Sequence, residues 1–194
     1  MNSITAAQHP KTGMLTIQAI GESNLHDLNR VDGTFTIDSR LVLHAQDRQI
    51  GYSIEPVQPH TKRYPAEKLD WDTFIDNPDK AIYLAYVDGQ VAGQVAGQII
   101  LWKNWNGYGY IQDIAVDASF RQQGIGRRLI EAAITWAKER GLPGLMLETQ
   151  DNNVAACRLY AACGFHLGGF DYELYQAIDP GTEEIALYWY LIFV

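Results

Sequence analysis

The stretch RQQGIGRRLI, Arg121–Ile130, follows the alternating apolar run YGYIQDIAV (Tyr108–Val116) and opens a helical pattern. A strand that runs into Gly-x-Gly and then a helix leaves backbone N–H groups unpaired at the positive end of a helix dipole. Such a turn is an anion site, suited to phosphate or pyrophosphate. Gly124 and Gly126 let the backbone approach a ligand with no Cβ in the way. Two other glycine-turn devices do not fit. A dinucleotide-binding turn calls for a third glycine where Leu129 stands, and lies near the first strand rather than past mid-chain. A P-loop calls for four residues between its glycines and then Gly-Lys-Ser/Thr, which the chain does not offer.

Working outward, IGRRLIEAAITWAKERG (Ile125–Gly141) reads as an amphipathic helix. Its stripe is Ile125, Leu129, Ala132, Ala133 and Trp136, and Gly141 is its stop. LPGLMLETQ reads as a strand, and NNVAACRLYAACG as a helix with Asn152 or Asn153 as N-cap and Gly164 at its end. FHLGGFDYELYQ and EIALYWYLIFV complete the sheet. Upstream, KAIYLAYVDGQVAGQ is a strand, an Asp-Gly turn and a returning strand. Inside it VAGQ occurs twice in tandem (Val91–Gln94, Val95–Gln98), which reads as a lengthened hairpin or a bulged strand. IILWKNWNGYGYIQDIAV is a further pair of strands about a turn. Earlier still, TFTIDSRLVLH and QIGYSIEPV are β-like, PHTKRYP breaks the pattern, and AEKLDWDTFIDN reads as a short helix. Residues 1–30 read as a polar, irregular segment. This order predicts one α/β domain over 1–194 with a mixed sheet.

The chain has 194 residues, 47% hydrophobic and 20% charged, with a formal net charge of −8. That balance fits an ordinary globular protein and excludes a general nucleic-acid binder, which shows a basic face. Cys157 and Cys163 are spaced so that neither a disulfide nor a metal pair is expected, and the five histidines are scattered. No signal-like segment and no apolar run of membrane length occurs. A cytoplasmic, metal-free protein is therefore expected.

RQQGIGRRLI matches the Arg/Gln-x-x-Gly-x-Gly/Ala signature of the GNAT superfamily of N-acetyltransferases. NVAACRLYAACGF fits a second pattern of that family at Asn153, Ala156, Leu159, Tyr160, Gly164 and Phe165. The resemblance spans Ala81 to Tyr175. It implies an α+β fold with a mixed, mostly antiparallel central sheet flanked by helices, and a coenzyme A site between splayed central strands. Acetyl-CoA is the implied co-substrate, its pyrophosphate on the glycine turn.

Acetyl transfer to an amine needs a neutral amine, a stabilised carbonyl oxygen, a protonated leaving thiolate and alignment of both substrates. By resemblance, Tyr160 is the general acid, its alternative being core packing. Glu148 resembles a strand-end glutamate that acts as base in ribosomal-protein alanine acetyltransferases, and Asp113 is the alternative base. Relatives often carry Glu-Asp on this strand, whereas here Gln112 precedes Asp113. The oxyanion is expected at a backbone N–H of Ala115 or Val116. Gln122, Gln123, Gly124, Ile125, Gly126 and Arg127 would offer N–H groups to the pyrophosphate, with Arg121 and Arg128 adding charge. Asn153 is expected either to touch coenzyme A or to cap its helix.

IDNPDKAIYLAY, WKNWNGYGYIQDIAV, GLMLETQDNNVAACRLYAACGFHLGG and ALYWYLIF resemble, within that superfamily, the streptothricin acetyltransferases. The implied acceptor is an amine of the β-lysine arm of that polycation, a small cationic substrate. Asp76, Asp113, Asp171, Glu173, Glu183 and Glu184 are the carboxylates available to meet it. Trp102 and Trp105 either stack on it or pack their hairpin. Protein N-termini, lysines, other small amines such as aminoglycosides, and an acyl-CoA-binding sensor are the rival readings. The aromatic run YWYLIFV, read as an edge strand, would suit a homodimer.

Overall fold

In the computed structural model the described residues are 14–47, 49–65, 68–88 and 94–194. Their elements are β1 (Leu15–Ala19), β2 (Phe35–Gln46), β3 (Gln49–Lys62), β4 (Lys80–Val87), β5 (Gln94–Lys103), β6 (Gly109–Val116), α1 (Ile125–Glu139), β7 (Gly144–Gln150), α2 (Val154–Ala162), β8 (His166–Asp171) and β9 (Ala186–Ile192). Seven strands form one sheet in the order β1-β4-β5-β6-β7-β9-β8, and β2 and β3 form a second sheet by themselves. Every neighbouring pair is antiparallel except β6–β7. The mixed, mostly antiparallel sheet with flanking helices is the expected architecture.

Alternation along β4 divides the core. Ala81 and Ala85 face the cluster that contains α1, while Ile82, Leu84 and Tyr86 face a second cluster with Ile20, Val31 and Phe74. α1 buries Ile125, Leu129, Ile130, Ala133, Trp136 and Ala137. Ala132, assigned to the apolar stripe from spacing, is only half-buried, and Ile130 and Ala137 take up that face. The glycine stops hold: Gly141 and Gly164 adopt φ +64 and +91, where a side chain would be strained.

Several expectations are corrected. The N-terminal thirty residues are not all irregular, because β1 pairs with β4 along its whole length. The segment read as a helix before Asn77 is a single 3-10 turn, Trp71–Phe74. Asp76 at φ +52 and Pro78 end it within a turn, too short a run for a stable α-helix. β3 runs through Pro59 and His60 to Lys62, past the expected break. A two-stranded sheet is all edge, and edges tolerate proline. β9 is not an edge strand: β7 and β8 pair with it on either side, so its aromatic run offers no free edge for a dimer. The second VAGQ copy lies in β5 and carries a bulge, since Ala85 pairs Gly97 but Tyr86 pairs Val95. Gly89 of the Asp-Gly turn and Val91–Gly93 of the first copy lie outside the described residues.

Candidate active site

β6 and β7 pair over three residues only, Gly109–Ile111 against Leu145–Leu147. A bulge at Gln112 is the local cause: Leu101 pairs Ile111, yet Ile100 pairs Asp113, so one residue of β6 is extra and the strand turns away. Beyond it β6 stays with β5, β7 stays with β9, and a gap opens between them. Asp117 N–H bonds back to Ala96 O at 2.9 Å. Alternation then points the Val116 N–H away from β5 and into the gap, and the Ala115 N–H toward Gln98. Of the two residues expected to meet the oxyanion, Val116 has its donor on the gap side.

The glycine turn follows at the open end of that gap. Gln122 and Gly124 both adopt positive φ, +61 and +81. α1 begins at Ile125, and Arg128 N–H is bonded to Gly124 O at 3.1 Å. The N–H groups of Ile125, Gly126 and Arg127 have no carbonyl one turn earlier, as at any helix start. A Cβ built on Gly124 meets nothing within 4 Å, so the space beside the turn is open. Gly126 has a different use from the one expected: a Cβ there would lie 2.8 Å from Leu159 Cδ2, so its bareness lets α2 close on α1. The arginines are also mostly structural. Arg121 donates from Nε to Val116 O at 3.0 Å and from Nη2 to Asp32 O at 3.4 Å, pinning the turn to β6 and to the N-terminal segment. Arg127 Nη2 donates to Ala162 O at 3.0 Å, at the end of α2. Arg128 pairs with Glu131 at 3.2 Å. Gln123 reaches Ser119 O at 3.5 Å.

Tyr160 feels the charges of Asp113 on β6 and Glu148 on β7, the two strands that border the gap. Tyr160 is 5% exposed, against Phe165 and Trp189 at ring-centroid distances of 6.0 and 6.2 Å. Burial first, then the charges of Cys157, Tyr64, Asp113 and Glu148, push its phenol well above the usual value. Glu148 stands half-buried near the splayed end of β7 and accepts a hydrogen bond from Tyr175 Oη. Burial raises its carboxyl, the Tyr175 bond and Lys62 hold it down, and Glu184 pushes it up. Asp113 accepts from Gln98 Nε2 at 2.7 Å. Asn153 caps α2 by accepting from Ala156 N–H at 3.3 Å, and its Nδ2 donates to Tyr64 Oη at 3.4 Å.

Around this centre lie side chains that pattern reading did not single out. Lys62 at the end of β3 pairs with Glu184, which also accepts from Asn152 Nδ2 at 2.8 Å. Tyr64 donates to Gln150. Asp151, 1% exposed, takes Arg40 at 3.0 Å and accepts from Ile185 N–H at 3.0 Å, tying β2 to β7 and to the start of β9. Gln98, 4% exposed, links Asp113 to Asn29, whose N–H donates to its Oε1 at 3.0 Å. A buried glutamine inside QIILW was the one signal available for that link. Of the six acids proposed for a cationic acceptor, Glu184 stands in this cluster, Glu183 faces Arg40 at 3.6 Å, and Asp113 lines the gap strand. Asp171 accepts from Glu173 N–H at 2.8 Å, and Asp76 follows the 3-10 turn that packs on the opposite core. Trp102 packs between Phe74 and Tyr110, and Trp105 is 92% exposed at the hairpin tip. Among the described residues no three His, Cys, Asp or Glu side chains gather to hold a metal, and no helix is long and apolar enough to cross a membrane.

A gap between two parallel strands, with a glycine turn and a helix start at its mouth, is the arrangement the family resemblance calls for, and the acetyltransferase (GNAT) family profile matches residues 46–165. The chain belongs to the acetyltransferase (GNAT) family. Within the GNAT acetyltransferases it is 36% identical over 171 residues to streptothricin acetyltransferase A of Bacillus subtilis strain 168, covering 88% of this chain and 95% of that one. A Bacillus anthracis structure assigned as a streptothricin acetyltransferase and solved with acetyl coenzyme A superposes with a TM-score of 0.85 at 40% identity, covering 94% and 99%. The structure of a nourseothricin acetyltransferase superposes with a TM-score of 0.75 at 29% identity, covering 92% and 98%.

Proposed function

We propose that this GNAT acetyltransferase transfers the acetyl group of acetyl-CoA to an amine on the β-lysine arm of streptothricin. The observation that carries the reading is the gap between β6 and β7, with Glu148 near the splayed end of β7 and a helix start with open space at Gly124. The likeness to streptothricin acetyltransferases over most of the chain supports streptothricin as the acceptor.

The residues fit acetyl-CoA. The N–H groups from Gln122 to Arg127 lie at a helix start with open space at Gly124 and would hold the pyrophosphate, while acetyl-CoA would supply an activated thioester. Val116 N–H points to the side where negative charge develops on the carbonyl oxygen. Glu148, with its carboxyl raised by burial, takes the proton from the acceptor ammonium, directly or through a water. Tyr160, whose phenol burial keeps protonated, gives its proton to the coenzyme A thiolate as the tetrahedral intermediate collapses, and the proton released from the acetylated nitrogen restores the phenol through water. Asp113, held by Gln98, adds negative charge on the gap strand.

Coenzyme A thiol release should be measured with streptothricin, an aminoglycoside and an N-terminal peptide in parallel. Turnover is expected on streptothricin alone, reduced about a hundredfold in Tyr160→Phe. Turnover on the peptide instead would reassign the acceptor, and acetyl-CoA binding without release on any amine would replace the enzyme with a sensor.

A further inference from the structure

The connection between β8 and β9 turns nearly all of its large side chains to water: Tyr172, Leu174 and Ile178 are 54, 38 and 80% exposed. Apart from Ile185, which adjoins β9 and is buried, Tyr175 is the exception. Its ring is half-buried and its hydroxyl donates to Glu148 Oε1. The backbone is folded around it, with Tyr175 O accepting from Ile178 N–H at 3.0 Å and Asp179 N–H at 2.9 Å, and Gln176 bracing the turn on Thr182 O at 2.8 Å. A loop built to present one phenol to one carboxylate asks for a reason.

Tyr175 does not serve as an acid itself. Burial, the bond to Glu148 and the charge of that carboxylate all push its phenol up, so it stays a hydrogen-bond donor. A carboxylate on a strand end rotates about its last bond unless a donor fixes it. We propose that Tyr175 is a positioning residue for acetyl transfer, fixing the Glu148 carboxylate in its working orientation and setting the pH range in which it accepts a proton. This deepens the reading above and rests on Glu148 being the base.

The groups that act on Glu148 or feel its charge come from every side: Tyr175 and Glu184 from the β8–β9 connection, Lys62 from β3, Tyr64 just beyond it, Tyr160 from α2 and Tyr188 from β9. Among them only Tyr175 and Lys62 favour the ionised carboxylate. A donor to the charged form lowers the pKa of an acid, and its loss raises it. In Tyr175→Phe the base is therefore protonated over a wider range of acid pH.

The test is the pH profile of kcat/KM for wild type, Tyr175→Phe and Glu148→Gln on one acceptor. The acceptor amine titrates alike with each enzyme, so any displacement of the acid limb belongs to the protein. Tyr175→Phe should move that limb up by about 0.5–1 pH unit, a single hydrogen bond's worth. The loss should be roughly three- to tenfold on the acid side and shrink in alkali, with the KM for acetyl-CoA unchanged. A loss equal at all pH values would mean that the tyrosine only packs, and would overturn the proposal. If Glu148→Gln abolishes the limb but Tyr175→Phe leaves it in place, the Tyr175 role alone falls. If Glu148→Gln keeps wild-type rate and limb, the base assignment falls and the Tyr175 role with it.

Discussion

At Glu148 burial and hydrogen bonding act in opposite directions, and burial prevails. The folded carboxyl is raised above its unfolded value, so its contribution to stability is full in acid and is lost as pH rises through the folded pKa. At neutral pH the native state therefore carries a charge it would hold more cheaply unfolded. Glu148→Gln should raise stability at pH 7, seen as a higher Tm than wild type. The gain should fade toward pH 4, where the wild-type side chain is also neutral. Thermal melts of the two proteins at both pH values decide it, and a variant less stable at pH 7 would contradict the balance drawn here. Tyr160 shows the limit of reading single residues. Its motif position names it as a site residue, and its packing on Phe165 and Trp189 would name it as core. It is both, because one end of a tyrosine is apolar and the other is not.

The glycine turn and α1 divide labour between two glycines that look equivalent in the sequence. Gly124 is bare because its φ of +81 demands it, and Gly126 because Leu159 lies where a Cβ would go. Gly124→Ala should cost about 1–2 kcal/mol of backbone strain and raise the KM for acetyl-CoA by distorting the turn. Gly126→Ala should cost roughly 1–3 kcal/mol by overpacking α1 against α2. Pairing it with Leu159→Ala should show a favourable coupling in a double-mutant cycle by denaturant unfolding; strict additivity would exclude the contact. Elements whose pattern is local were legible: α1, β7, α2 with its Asn153 cap, and the gap strand β6. Elements set by distant partners were not. Nothing in YWYLIFV distinguishes an edge strand from one paired on both sides, because both are apolar. The separate sheet of β2 and β3 depends on a partner choice that alternation does not encode. Tyr175 escaped for the same reason, lying in an aperiodic connection whose contact with Glu148 spans 27 residues.

Over the whole molecule, a net charge of −8 surrounds a turn built for an anion. On the function proposed, the long-range field would draw a cationic acceptor in, while local N–H groups would capture the pyrophosphate against that field. Raising salt from 20 to 200 mM (roughly a threefold shorter screening length) should lower kcat/KM for streptothricin several-fold by reducing its association rate. The KM for acetyl-CoA should stay flat or fall. Initial rates against ionic strength test this, and a salt-independent streptothricin profile would count against a cationic acceptor steered by charge. The β2–β3 sheet adds a last point. It is joined to the rest of the protein through Arg40 and Leu41 on Asp151, through Lys62 on Glu184, and through Leu41 and Tyr52 packed into the core beside Trp189. Through Lys62 and Glu184 the hairpin bears on the charge around Glu148, so a change in β3 can reach that carboxylate without touching it.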